Sequence, residues 1–96
     1  MKDMNSFENV VHMLRTVFNV DSGLSEDAAI KIYRRTAQSS GKLERLREEL
    51  RHGFGDPAVS WRSLLSNEDY EVFDAETEDE ARSYALRILW EPLKGL

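Results

Sequence analysis

The apolar positions of this chain fall into helical stripes. Phe7, Val10, Val11, Leu14, Val17 and Phe18 recur on one face, with Glu8, Asn9, His12, Arg15 and Thr16 opposite and Asn5 or Ser6 available as N-cap. Residues 19–23 are polar and turn-like. Leu24 and Ser25 then supply a hydrophobic staple and a cap for a second helix over 26–38, whose first acids, Glu26 and Asp27, suit the positive end of the helix dipole. On a wheel of ~100° per residue, Ala28, Ala29, Ile30, Ile32, Tyr33 and Ala37 cover a broad arc and leave Lys31, Arg34 and Arg35 as a narrow basic stripe. Ser39, Ser40 and Gly41 break the pattern. Leu43, Leu46, Leu50 and Phe54 predict a third helix whose outer face carries Arg45, Glu48, Glu49, Arg51 and His52, with Gly53 and Gly55 as stop signals.

Asp56 followed by Pro57 reads as an N-cap with proline at the first helical position, predicting a short fourth helix through Val59, Trp61, Leu64 and Leu65 to Ser66. Tyr70, Val72 and Phe73 have the spacing of a brief extended piece, with no second strand visible to pair with it. Thr77 and Glu80 are spaced as a capping box and open a last helix through Ala81, Tyr84, Ala85, Ile88 and Leu89, ending at Pro92. Leu86 and Trp90 fall outside its main stripe, so this helix is expected to pack on two sides. The expectation is an all-α fold: a single domain over residues 1–96, a compact bundle of about five short helices, with a brief extended segment near Tyr70 and Phe73.

Charge changes the picture. The formal net charge is −5, but residues 31–52 hold seven bases against three acids, and residues 68–80 hold eight carboxylates and no base. A basic block followed by an acidic one argues for a bipolar surface and against general coating of DNA. The acidic run is interleaved with Tyr70, Val72 and Phe73, which a purely solvating tail would lack, so it reads as charges held in a fixed array on a core.

Length and composition narrow the class further. A chain of 96 residues makes one small domain that buries roughly two thirds of its unfolded surface. With no cysteine it has neither a disulfide framework nor a thiolate metal site, and rests on its apolar core. The opening residues lack the pattern of a signal peptide, and no apolar run approaches the ~18 residues of a membrane span. A cytoplasmic protein is expected.

Catalytic chemistry finds little support. His12 and His52 are the only histidines and both project from polar helix faces; neither a nucleophile elbow nor a phosphate-binding glycine loop occurs. The acidic run lacks the spacing and the turn glycine of a calcium loop, and neighbouring acids on one strip do not make the opposed pair of a glycosidase. No enzyme activity, cofactor or metal is expected. Lys31, Arg34 and Arg35, with Lys42, Arg45 and Arg51, could contact phosphates, but Glu44, Glu48 and Glu49 stand three or four residues from the arginines of helix 3 and make much of it an ordinary solvated face.

Within the acidic run, Glu78, Asp79 and Glu80 are accounted for by the start of the last helix. Glu68, Asp69, Glu71, Asp74 and Glu76 lie outside it and repel one another unless a partner or the basic stripe compensates them. These five acids and Tyr70 are the candidate partner-binding residues. Trp61, Trp90 and Tyr70 are the candidate apolar anchors, with at least one tryptophan assigned to the core.

The order of features over about residues 9–93 resembles small helical immunity proteins of bacterial contact-dependent growth inhibition systems. The resemblance rests on residues 14–21 (Leu-Arg-Thr-Val-Phe-Asn-Val-Asp), the Ser25-Glu26-Asp27 helix start, residues 43–50 (Leu-Glu-Arg-Leu-Arg-Glu-Glu-Leu) and a last helix led by an acidic turn. One branch of such families has Phe-His-Gln-Asp-Trp after the first helix. This chain has Phe18-Asn19-Val20-Asp21, so that only Phe18 and Asp21 match by position. The resemblance implies a protein that neutralises the C-terminal domain of a cognate toxin, frequently a nuclease with a basic substrate groove. The resulting expectation is a monomeric immunity protein that binds such a toxin through residues 68–80. The alternative is a helical adaptor or regulator, including a nucleic-acid binder, that uses the basic stripe of helices 2 and 3.

Overall fold

The computed structural model describes residues 7–96. Five helices, α1 Glu8–Met13, α2 Glu26–Ser39, α3 Leu43–Gly55, α4 Trp61–Leu65 and α5 Glu78–Ala85, close around one apolar cluster, and no strand forms among the described residues. Phe7, Val10, Leu14, Tyr33, Leu46, Leu50, Trp61, Leu65, Ile88 and Leu89 lie at its centre. The all-α bundle therefore stands as expected. Asn5 and Ser6, the caps expected for the first helix, lie outside the described residues.

Two helices continue as π-helical turns, α1 through Leu14–Phe18 and α5 through Leu86–Trp90, before a 3₁₀ turn at Glu91–Leu93. Pro92 has no N–H to offer the carbonyl four residues back, which favours a change of register ahead of it. Tyr33 joins the two π segments. Its ring meets Phe18 edge-on at 5.3 Å, and its hydroxyl donates to the Leu89 carbonyl at 2.8 Å. Leu86 and Trp90 are half-buried while Ile88 and Leu89 are fully covered, consistent with a last helix packed on more than one side.

The tertiary structure corrects several local expectations. Asp56 and Pro57 do not start a helix. The Asp56 carboxylate accepts from Ala58 N at 2.9 Å and its carbonyl from Val59 N at 3.1 Å, which closes a turn, and α4 begins at Trp61 with Ser60 as N-cap. Gly53 is not a stop signal but lies buried within α3. A Cβ there would stand 2.7 Å from Trp61 Cζ2 and 3.0 Å from Phe7 Cε1, so this glycine lets the indole close on the helix. Ile32 is 37% exposed, so the apolar arc of α2 is narrower than the wheel suggests.

Glu49 and Asn9, both expected on solvated faces, face each other. Phe7 at the start of α1 has no capping side chain, and the need is met from α3. Glu49 Oε1 accepts from Val10 N at 2.8 Å, while Oε2 accepts from Asn9 N at 3.3 Å and Asn9 Nδ2 at 2.7 Å. These are the second and third amides of the helix, the ones an N-cap side chain ordinarily serves. Asn9 is buried by the pairing.

A candidate partner interface built on an acidic ribbon

The segment from Glu68 to Glu76 is a ribbon tied down along its length. Asn67 makes its first turn: its side-chain oxygen accepts from Asp69 N at 2.9 Å and Tyr70 N at 3.3 Å, its amide nitrogen donates to the Ser63 carbonyl at 2.8 Å, and its backbone N–H donates to the Tyr70 carbonyl at 3.0 Å. Beyond the turn, Ser66 and Glu71 form an isolated antiparallel bridge, and Val72 N donates to the Leu65 carbonyl at 2.7 Å. The extended piece expected from Tyr70, Val72 and Phe73 thus pairs with the end of α4 and grows no further. Arg62 Nε donates to the Ala75 carbonyl at 3.1 Å, and Glu80 Oε1 accepts from Glu76 N at 2.8 Å. Thr77 Oγ1 accepts from Glu80 N at 3.1 Å, which is one half of the capping box read in the sequence; the Glu80 carboxylate accepts from Glu76 N, one residue before the cap, and not from Thr77 N.

Side chains fix the same ribbon to the core. Tyr70, Val72 and Ala75 are buried, and Phe73 stacks on Tyr84 with ring centres 4.2 Å apart and planes 16° apart. The Arg87 guanidinium lies over the Tyr84 ring, 4.9 Å from its centre, and Arg87 is ion-paired with Glu26 at the start of α2. Tyr70 is only 5% exposed, so it acts as an anchor beneath the array and offers little surface of its own. Burial pushes its phenol above the ordinary tyrosine value. Trp61 belongs to the core, stacked on Phe54 at 4.5 Å, and Trp90 is the half-buried tryptophan.

The other candidate residues, Glu68, Asp69, Glu71, Asp74 and Glu76, are all exposed. Among the described residues none of their carboxylates accepts a hydrogen bond or joins an ion pair. Lys31, Arg34 and Arg35 are likewise exposed and unpaired among the described residues, so the basic stripe does not neutralise the ribbon. The expected lacing of α3 by ion pairs reduces to Arg47 with Glu44 at 3.0 Å, and Arg47 also donates to the Leu93 and Leu96 carbonyls near the C-terminus.

Glu78 stands in the first turn of α5 as expected and has a second role. It reaches across to α4, where Oε2 accepts from Ser60 Oγ at 2.6 Å and Oε1 accepts from Trp61 N at 2.9 Å and Arg62 N at 3.3 Å. The Ser60 hydroxyl bond, helped by the two amides and the Arg62 charge, holds this carboxyl below the ordinary glutamate value, against a smaller opposing effect of burial.

Sequence reading missed one exposed contributor. Val20 N donates to the Glu71 carbonyl at 2.8 Å, which fastens the loop after α1 to the ribbon, while the Val20 side chain is 58% exposed. A lone valine in an otherwise polar turn was the available signal. Leu24 follows on the same loop at 41% exposure; Ser25 behind it caps α2 as expected, accepting from Ala28 N at 3.2 Å.

No group of carboxylates and histidines suited to a metal ion occurs among the described residues, and no helix there is long and apolar enough to cross a membrane. No protein-family model, curated protein or solved structure matches the chain.

Proposed function

We propose that the protein is an immunity protein: a non-enzymatic cytoplasmic inhibitor that binds the C-terminal domain of a cognate bacterial toxin, a nuclease, and covers its basic substrate groove with the acidic ribbon. One observation carries this reading. Five carboxylates stand on a hydrogen-bonded, core-anchored backbone, and no side chain among the described residues compensates them. Holding like charges close together raises the free energy of the isolated domain, and a cationic partner relieves that repulsion on binding. A preorganised array also loses little conformational freedom when it docks, and complementary potential raises association rates toward ~10⁸ to 10⁹ M⁻¹s⁻¹ at low salt.

The reading requires a large secreted protein encoded immediately upstream of this chain, and the test uses the C-terminal domain of that protein. Glu71→Lys, Asp74→Lys and Glu76→Lys together are expected to weaken its binding in calorimetry at least ~100-fold, about 3 kcal/mol, with the helical circular dichroism unchanged. Parental affinity in the triple variant removes the ribbon from the interface. The absence of such a neighbour, or of any binding to it, ends the immunity reading.

The unpaired cations Lys31, Arg34 and Arg35 support a second reading, an adaptor or regulator that contacts nucleic-acid phosphates through α2 and α3. That reading requires duplex DNA or RNA binding that falls steeply with salt and is abolished by Arg34→Glu with Arg35→Glu.

A further inference from the structure

Three large apolar side chains are exposed among the described residues, Val20, Leu24 and Ile32, and two of them share the seven-residue loop 19–25 that leads from the π-helical end of α1 into α2. That loop is well ordered by its own bonds. Asn19 Oδ1 accepts from Asp21 N at 3.1 Å, Ser22 Oγ donates to the Val17 carbonyl at 3.2 Å, and Gly23 closes the turn with φ 77°, a left-handed conformation that suits only glycine well. Nothing in these bonds needs an aliphatic side chain at position 20. The loop nevertheless holds the valine in water, beside the ribbon to which its own N–H is bonded.

Protein interfaces that bind tightly combine a small apolar centre with a polar or charged rim, and the centre carries most of the energy. A ribbon of carboxylates alone supplies the rim. We propose that Val20 and Leu24 form the apolar centre of the docking surface, with Asp21 and Glu71 as its charged border, and that the surface fits a basic protein face bearing an aliphatic pocket. Charge complementarity selects this occupant. An apolar contact bordered by unpaired acids disfavours an acidic partner, and the net charge of −5 disfavours a second copy of the chain. Carboxylates steer the encounter and set its salt dependence, while the aliphatic contact sets the lifetime of the complex.

This inference rests on the ribbon being a partner surface, and its test separates the two ideas. Val20→Ala and Leu24→Ala are each titrated by calorimetry against the same upstream-encoded toxin domain at several salt concentrations. Each is expected to weaken binding roughly tenfold through a faster off-rate, with the salt slope kept. The lysine triple variant of the ribbon loses affinity and flattens that slope. Parental affinity in both alanine variants, with binding lost in the lysine triple variant, overturns the apolar centre and leaves the immunity reading standing. Parental affinity in all three overturns both. Val20 and Leu24 are 58% and 41% exposed, so melting temperatures close to that of the parent are expected. Should Val20→Ala melt lower, the Leu24→Ala result decides.

Discussion

Glu49 and Glu78 can be set against the five acids of the ribbon, because the same functional group meets two environments. Glu49 projects from α3 onto the open amides of α1, and Glu78 projects from α5 onto those of α4, so each carboxylate ends a helix to which it does not belong. Arginines do the same at the opposite pole: Arg82 donates to the Phe54 carbonyl at the end of α3 at 2.9 Å, and Arg47 to the carbonyls of Leu93 and Leu96. The ribbon acids, equally fixed in place by their backbone, point at no donor among the described residues. Charge density in the sequence therefore does not locate function. What matters is whether the fold brings a complementary group to meet the charge.

Loss of Glu49 is expected to give the largest stability effect. Glu49→Ala leaves three donors around α1 without their acceptor, and is expected to lower the unfolding free energy in urea by about 2 to 3 kcal/mol. Glu78→Ala should cost less, about 1 kcal/mol, because its carboxylate is exposed and water can replace part of the bond. A loss below a few tenths in either variant would mean that these helix ends are satisfied without it.

Acid provides a second probe of Glu78. Its folded pKa lies below the ordinary value of 4.5, so the unfolded state binds the proton more tightly. The stabilisation is therefore fully present above the unfolded value and is lost as pH falls through the lower folded one. Urea unfolding between pH 6 and about 3 should show this loss in the parent and a shallower dependence in Glu78→Gln. Identical pH slopes would show that Glu78 is not the titrating group.

The smallest effect has the opposite sign. Neutralising the ribbon through Glu71→Gln, Asp74→Asn and Glu76→Gln should raise stability by a few tenths of a kcal/mol at low salt, the gain fading as salt screens the repulsion. A loss of 1 kcal/mol or more would assign these acids a role in folding and remove the contrast with Glu49 and Glu78.

Much of the fold was legible because short-range physics wrote it. Period and caps were enough to place α2 from Ser25 and α5 from Thr77, and interleaved apolar residues correctly tied Tyr70 and Val72 to the core. The start of α4 was misread because Asp56 and Pro57 are equally good turn formers, and the choice was made by Glu78, 17 residues beyond Trp61. Gly53 resembled a stop signal because a packing glycine and a terminal glycine have the same local sequence. Of the candidate interface, the acids were readable from composition, whereas the place of Val20 beside Glu71 was hidden by 50 residues of intervening chain.

The helical class, most helix boundaries, and the separation of a basic block from an acidic one are local properties, since periodicity, capping and charge act over a few residues. Which charges are consumed depends on long-range packing. Glu49 and Glu78 find amides on helices distant in sequence, while the ribbon is fastened to α4 and to the loop after α1 with its carboxylates in water. The physical reason is that a carboxylate's role depends on the donors within about 3 Å of it, and long-range packing is what sets those neighbours.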